Sequence, residues 1–329
     1  MYPYRLVSTV AFAVACNSSD PGYVPPVKGR TVAVSQLASS NLAGVQVAIT
    51  VDDLPWSEPS ANAETRSTAN TRLIHTLLQR RAPASLFVNC AGAGNDIPLL
   101  KEWLAQGFEL GNHTARHLSI DQAGAAAWLE DVRACDTSLR ALTGKSPRFF
   151  RYPMLRQGAT RARRDSAADG IARLGYLNAH VTIDNSEYLI AHAYQRAALA
   201  SDASDAGAKA AMADLYVTHV RSAFRHARDV SKRKMRREVA HVLLLHINQL
   251  NVDHLGTLLD SLAADGAVFV PLNTALLDPV YSMPDLYIGS RGWSWLYRIA
   301  PLDPKDAEWD NAEARRVEAA LSAMVLRQR

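Results

Sequence analysis

The apolar run Val47-Ala48-Ile49-Thr50-Val51 ends on two adjacent carboxylates, Asp52 and Asp53, followed by Leu54-Pro55-Trp56. Successive side chains of a regular strand point to opposite faces. Pro55 breaks the ladder, so the pair is expected where strand gives way to loop, with both carboxylates free to turn toward one cavity. Acids placed in this way can divide the labour, one holding a metal ion while the other takes a proton from water. Further along, His113-Thr114-Ala115-Arg116-His117 carries two imidazoles four residues apart, which a helical turn would bring to one face at chelating distance. Each signal alone has a bland explanation, a solvated turn for the acids and chance spacing for the histidines. Together Asp53, His113 and His117 supply two nitrogens and one oxygen. Three protein ligands with a position left open are the pattern of a catalytic divalent ion, zinc being favoured.

The elements that must position these groups alternate along the chain. Leu73, Ile74, Leu77 and Leu78 recur at helical spacing within a segment from Ser60 to Arg81, and Ser85-Leu86-Phe87-Val88-Asn89 reads as a buried strand. A helix is expected from Ile97 to Ala105, then strand through Phe108 to His113, and a long helix from Asp121, as its cap, to Leu142, stopped by Gly144. Strand is expected at Phe149 to Pro153, helix at Arg161 to Leu174, strand at Tyr176 to Val181, and an Ala-rich helical stretch from Glu187 to about Ala227. Strand at Val239 to His246, helix at Asp253 to Ala264 and strand at Ala267 to Val270 follow. Such alternation argues for a parallel sheet with helical crossovers, and the absence of Gly-x-Gly-x-x-Gly after the first strand argues against a dinucleotide fold. The fold expected is α/β, a distorted (β/α) barrel. Asp52-Asp53, His113, Arg151, Asp184 and His246 each end an expected strand, where barrels gather their chemistry.

Thr50-Val51-Asp52-Asp53, His113 to His117, Arg151-Tyr152-Pro153, Asp184 to Tyr188 and Leu243-Leu244-Leu245-His246 resemble, in order, the five motifs of polysaccharide deacetylases of carbohydrate esterase family 4, whose barrel is the NodB-homology type. The resemblance covers about residues 45 to 275. It implies Asp52 as general base, Asp53, His113 and His117 as metal ligands, Arg151 as the partner that orients Asp52, and His246 as general acid. Physical chemistry allots the same parts: amide cleavage needs a base for water, oxyanion stabilisation and a proton for the leaving nitrogen, which a histidine can carry near neutral pH. By the same resemblance Pro153, Met154 and Tyr188 would meet the substrate. Leu54 stands where the family commonly has Gly, and Glu187-Tyr188 where it has Asp-Trp, so either Glu187 or Asp184 would orient His246. The implied partner is an acetylated carbohydrate, N-acetylated before O-acetylated; chitin oligomers, peptidoglycan, poly-N-acetylglucosamine and acetylxylan all fit. Two other readings stay open. One is an amide hydrolase of a small molecule on the same barrel, which a closed pocket in place of an open groove would favour; the other is a surface-anchored carbohydrate-binding protein with a dead site.

The two ends of the chain read differently. Arg5 precedes the apolar segment Leu6 to Ala15, and Cys16 opens a polar stretch rich in Pro, Gly, Ser and Asn. This pattern is that of an export signal over residues 1–16, with Cys16 as a candidate for lipidation and residues 17–44 as a tether. The protein is then expected in the cell envelope, as a membrane-anchored lipoprotein or in the periplasm. The barrel would span residues 45–275. Residues 276–329 would be a C-terminal extension packed on it, through aromatics such as Tyr281, Tyr287, Trp293, Trp295 and Tyr297 and a helix from Asn311 to Leu326. Cys90 and Cys135 can pair in an oxidising compartment or stay as separate buried thiols. The net charge of +4 comes from Arg221 to Arg237, a segment without interleaved aromatics that suits a solvated helix face and excludes a nucleic-acid platform.

Overall fold

The computed structural model describes residues 44–57, 63–199 and 205–326. The expected signal, Cys16 and the tether up to residue 43 lie outside them. In chain order the elements are β1 Val45–Leu54, α1 Ala63–Gln79, β2 Ala84–Val88, α2 Ile97–Ala105, β3 Glu109–Asn112, α3 Ile120–Ala123, α4 Ala125–Thr143, β4 Phe149–Phe150 and α5 Arg161–Arg173. There follow β5 Leu177–Asn178, α6 Glu187–Leu199, α7 Asp205–Met235, β6 His241–His246, α8 Gln249–Ala264, β7 Ala267–Phe269, α9 Leu272–Ala275, α10 Trp295–Arg298 and α11 Pro304–Leu326.

All strand pairs are parallel, in the order β5-β4-β3-β2-β1-β6, with β7 against the first residues of β1. The two edges are bridged by one short stretch of chain. Ala179 N donates to Phe150 O beside β4, and a few residues later Thr182 N and Ile183 N donate to Val242 O while Leu244 N donates to Ile183 O beside β6. The sheet therefore curls into the expected distorted barrel. Alternation along β1 then sorts its side chains. Val47, Ile49 and Val51 pack outward into the main core with the helices, whereas Ala48 joins Phe87, Phe149 and Val242 in a separate inner cluster. Thr50 and Asp52 continue the inward row. Gly111 belongs to this interior because a Cβ there would lie 2.6 Å from the Phe87 ring and 3.0 Å from Phe149 O.

Several expected elements are shorter or broken. The helix expected from Asp121 is two helices parted by Gly124 at φ 78°, and Asp121 is not its cap; its carboxylate accepts from Ala159 N and from Arg163. The strands at residues 149–153 and 176–181 shrink to two residues each, because Pro153–Leu155 forms a one-turn helix and the chain after Asn178 passes from β4 to β6. The basic segment of α7 is not a simple solvated face. Arg221 and Arg225 pair with Asp265, Arg228 and Lys232 with Glu238, Arg233 and Lys234 with Asp306, and Arg237 with Asp278. Cys90 and Cys135 are disulfide-bonded, with Cα atoms 5.1 Å apart. The residues after 276 cover one side of the barrel: Trp293, Trp295, Tyr297 and Val317 are buried in the main core, and α11 lies against α6 and α7. Among the described residues no helix is long and apolar enough to cross a membrane.

Candidate active site

Asp52 and Asp53 both lie within β1, not beyond its end. The ladder with β2 shifts register between Val51 and Leu54, and Asp53 takes φ 67°. This bulge, rather than Pro55, turns two neighbouring carboxylates toward the same cavity, as bulges do when they re-aim a side chain. The histidine pair is likewise brought together differently from the expectation of a helical turn. His113 follows β3 directly, and the chain doubles back through Thr114 at φ 66° to His117 at φ 56°, which leaves the rings 4.9 Å apart. Asp131 of α4 holds this loop, accepting from Arg116 N and Nε at 2.9 and 2.7 Å, while Cys90 N and Ala91 N donate to Thr114 O and Ala115 O.

The resulting cluster has the donor set of a divalent-metal site. Asp53 Oδ1 lies 3.6 Å from His113 Nε2 and 3.7 Å from His117 Nε2, and the ligand atoms of all three fall within 4.8 Å of one another. His113 Nδ1 sits 2.9 Å from Arg151 O, so as the N–H donor there it leaves Nε2 with a free lone pair. Burial, reinforced by the neighbouring His113, pushes His117 down to about 4 despite Asp53 and Asp52. Burial alone would raise Asp53, but His113, His246 and His117 and the hydrogen bond from Asn89 outweigh it and hold the carboxyl below its ordinary range. A neutral His117 beside an ionised Asp53 is in the protonation state that ligation requires.

Asp52 is fixed from below. Arg151 is buried across the barrel interior, its guanidinium 4.6 Å over the Phe87 ring. Its Nη1 is 3.2 Å from Asp52 Oδ2, Nη2 donates to Thr50 Oγ1 at 3.0 Å, and Nε donates to Ala179 O at 2.7 Å. In the parallel ladder Asp52 stands in register with His246 on β6. His246 Nδ1 meets Glu187 Oε2 at 2.9 Å, and the other oxygen of Glu187 accepts from Asn248 and, at 2.6 Å, from Asn251. Burial opposes the charged imidazole, yet the Glu187 hydrogen bond and charge, aided by Asp53 and Asp52, raise His246 to about 9. Glu187, and not Asp184, is thus the partner of His246. Asp184 faces the cavity instead, where burial and the neighbouring Asp310 raise it to about 7.

The cavity, of about 540 Å³, contains Asp52, Asp53, His113, His117 and His246 in its lining. Met154 and Tyr188, 41% and 45% exposed, border it, with the Tyr188 ring 6.2 Å from that of His246. Pro153 does not. It is buried at the start of a one-turn helix, Pro153–Leu155, where its ring sets the turn rather than a surface for substrate. Sequence reasoning gave no role to Thr50, although it stands in the first motif, nor to Asn89, Asn248 and Asn251; all four hold site groups through hydrogen bonds. Asn89, the polar residue that ends an apolar strand, carried a signal of the same kind as His113; Asn248 and Asn251 carried none. It also missed Arg291, Asp310 and Asn311, contributed to the same cavity by the C-terminal extension.

The family model described as polysaccharide deacetylase matches residues 40–176. A chitin deacetylase of Colletotrichum lindemuthianum is 25% identical over 191 residues, 56% of this chain and 67% of that one. Among solved structures, a polysaccharide deacetylase from Bacillus cereus aligns with 19% identity and a TM-score of 0.48 over 69% of this chain and 91% of its own. The catalytic domain of a peptidoglycan N-acetylglucosamine deacetylase from Eubacterium rectale aligns with 18% identity and a TM-score of 0.47, over 70% and 90% respectively.

Proposed function

We propose that this chain, whose residues 40–176 match the polysaccharide deacetylase family model, is a metal-dependent hydrolase that removes acetyl groups from N-acetylated sugars. The observation that carries the reading is the in-register pair Asp52 and His246, set over the Asp53, His113 and His117 cluster with a charged partner behind each. A divalent ion held by Asp53, His113 and His117, zinc by its nitrogen and oxygen donors, would polarise the acyl oxygen as a Lewis acid. Asp52 would take the proton of the attacking water. Arg151 keeps that carboxylate in one orientation and touches no reacting atom itself. His246, carried in its charged form by Glu187, would give its proton to the departing nitrogen, which leaves poorly as an amide anion. The preference for N-acetyl over O-acetyl follows from that built-in acid, for which an ester has less need. Attachment to a membrane through Cys16, and export to the cell envelope, are proposed with it.

The reading is tested by acetate release from N-acetylated and O-acetylated sugars, with and without chelator. Activity on N-acetyl sugars lost to chelator and restored by zinc is the expected result. His113→Ala should bind metal far more weakly, since a three-ligand site loses much of its chelation with one ligand. Full metal content in that variant, or deacetylation indifferent to chelator, would reject the assignment. A purified protein that binds sugar but releases no acetate under any metal would support the dead-site reading instead.

A further inference from the structure

Part of the wall of the cavity that holds Asp52 and the histidines comes from the C-terminal extension. Arg291, Gly292 and Trp293 approach from the segment before α10, and Asp310, Asn311 and Glu313 from α11. This wall is built into the barrel. A Cβ on Gly292 would fall 1.9 Å from Met154 O, so the segment lies directly on the turn that follows β4. Ser294 Oγ donates to Thr182 O and Trp295 N donates to Val181 O, tying it to the stretch that closes the sheet. On the other side Glu313 pairs at 2.8 Å with buried His219, whose Nε2 accepts from Ser186 N immediately before Glu187. The two parts of the wall are joined where Arg291 Nη2 donates to Asn311 Oδ1 at 3.1 Å, with the same guanidinium 4.8 Å over the Trp293 ring.

From this placement we infer that the C-terminal extension makes the active site a blind pocket that admits the terminal acetylated unit of a sugar chain and excludes its interior. The inference rests on the deacetylase reading and names the substrate class for it. A deacetylase working along a polymer must let the chain pass on both sides of the reacting unit. Here the part of the lining supplied by the C-terminal extension is packed backbone and a helix anchored in the main core. The cavity of about 540 Å³ is within the range of roughly 300–1,000 Å³ in which proteins enclose small ligands. The wall from the C-terminal extension offers donors and acceptors together, Arg291, Asn311 and Asp310, beside the indole of Trp293. Such a surface satisfies the hydroxyls and the apolar face of one sugar ring, and a site built of polar groups discriminates strongly against ligands that leave them unpaired.

The test uses the full-length, zinc-loaded protein and N-acetylglucosamine oligomers from monomer to hexamer, with products located by mass spectrometry. The expected result is a free amine confined to an end unit, with a rate per chain that does not grow with length. Arg291→Ala combined with Asn311→Ala opens the joint in the wall without touching the groups that react. With its melting temperature kept near that of the parent, this double variant should begin to release acetyl groups from interior units. Interior amines produced by the parent protein would overturn the blind pocket while leaving deacetylation intact. End-only products from the folded double variant would overturn the role given to this wall. Acetate from no oligomer of any length would instead reject the deacetylase reading on which the inference stands.

Discussion

A histidine proposed to donate a proton to a leaving amine is useful only where it is charged, and His246 is held in that state chiefly by Glu187, aided by Asp53 and Asp52. Burial acts against it, and Glu187 at 2.9 Å outweighs burial to carry it to about 9. Activity on an N-acetyl substrate should therefore fall as pH rises toward that value, at a lower pH in the metal-loaded protein because a bound cation disfavours a second charge beside it. Glu187→Gln removes a hydrogen bond to a charged group, worth about 1.5–3 kcal/mol, and should move this alkaline limb down by about one to two pH units. An activated ester, whose leaving group needs no proton, should show no such displacement. A limb that stays in place on the amide would mean that His246 is not the acid. The same pair bears on stability with a fixed sign: the folded protein favours the charged imidazole, so the contribution is complete below the ordinary 6.5 and is lost as pH rises through about 9. Asp52 gives a separate test. Asp52→Asn should keep its metal yet lose about 10²- to 10⁴-fold in acetate release, the range of general-base catalysis. An active variant, or one stripped of metal, would show that the two acids of β1 have their parts exchanged.

The strands and loops that deliver these groups were legible to different depths. Asp52, Asp53, His113, Arg151 and His246 could be placed at strand ends because apolar runs precede them, and β1, β3, β4 and β6 do carry them to one end of the barrel. What sequence periodicity cannot express is backbone in unusual conformations. The bulge at Asp53 and the left-handed residues Thr114 and His117 set the geometry of the candidate ligands, although none of the three is a glycine that would mark such a position. Support for the loop from Thr114 to His117 comes from elsewhere in the chain, through Asp131 and through residues 90 and 91. The Cys90 to Cys135 bond ties those two supports together across a sequence separation of 45. In the chain-entropy account a loop of this length contributes about 4 kcal/mol. Cys135→Ala in the oxidised protein should then lower the free energy of urea unfolding by about 2–4 kcal/mol and weaken metal affinity, since the histidine loop loses a brace. A stability loss with metal affinity unchanged would confine the disulfide to the scaffold.

At the scale of the whole molecule, the C-terminal extension was expected to pack on the barrel, but its entry into the active-site cavity was not. Arg291, Asp310 and Asn311 lie in an aromatic, irregular stretch and on the polar face of a helix, where residue type gives no hint of a partner more than a hundred positions away. Long-range packing decides it. Val317 is buried in the same core as β1 and β6, and Asp306, fully buried at the start of α11, pairs with Lys234 at 3.1 Å and with Arg233 on α7. An element fastened in this way should not detach on its own. Asp306→Ala leaves Lys234, itself only 10% exposed, without its compensating charge, and breaking a buried pair from one side costs about 3–5 kcal/mol. Part of that is recovered because Arg233 reaches solvent, so a loss of about 2–3 kcal/mol is expected. Urea unfolding followed by tryptophan fluorescence, to which Trp309 on α11 contributes, and by far-ultraviolet circular dichroism should give one coincident transition in both parent and variant, displaced to lower urea in the variant. Two separated transitions would show α11 leaving the barrel before the rest unfolds. The part of the active-site wall from the C-terminal extension would then be an opening flap, and substrates longer than a terminal unit would gain entry whenever it lifted.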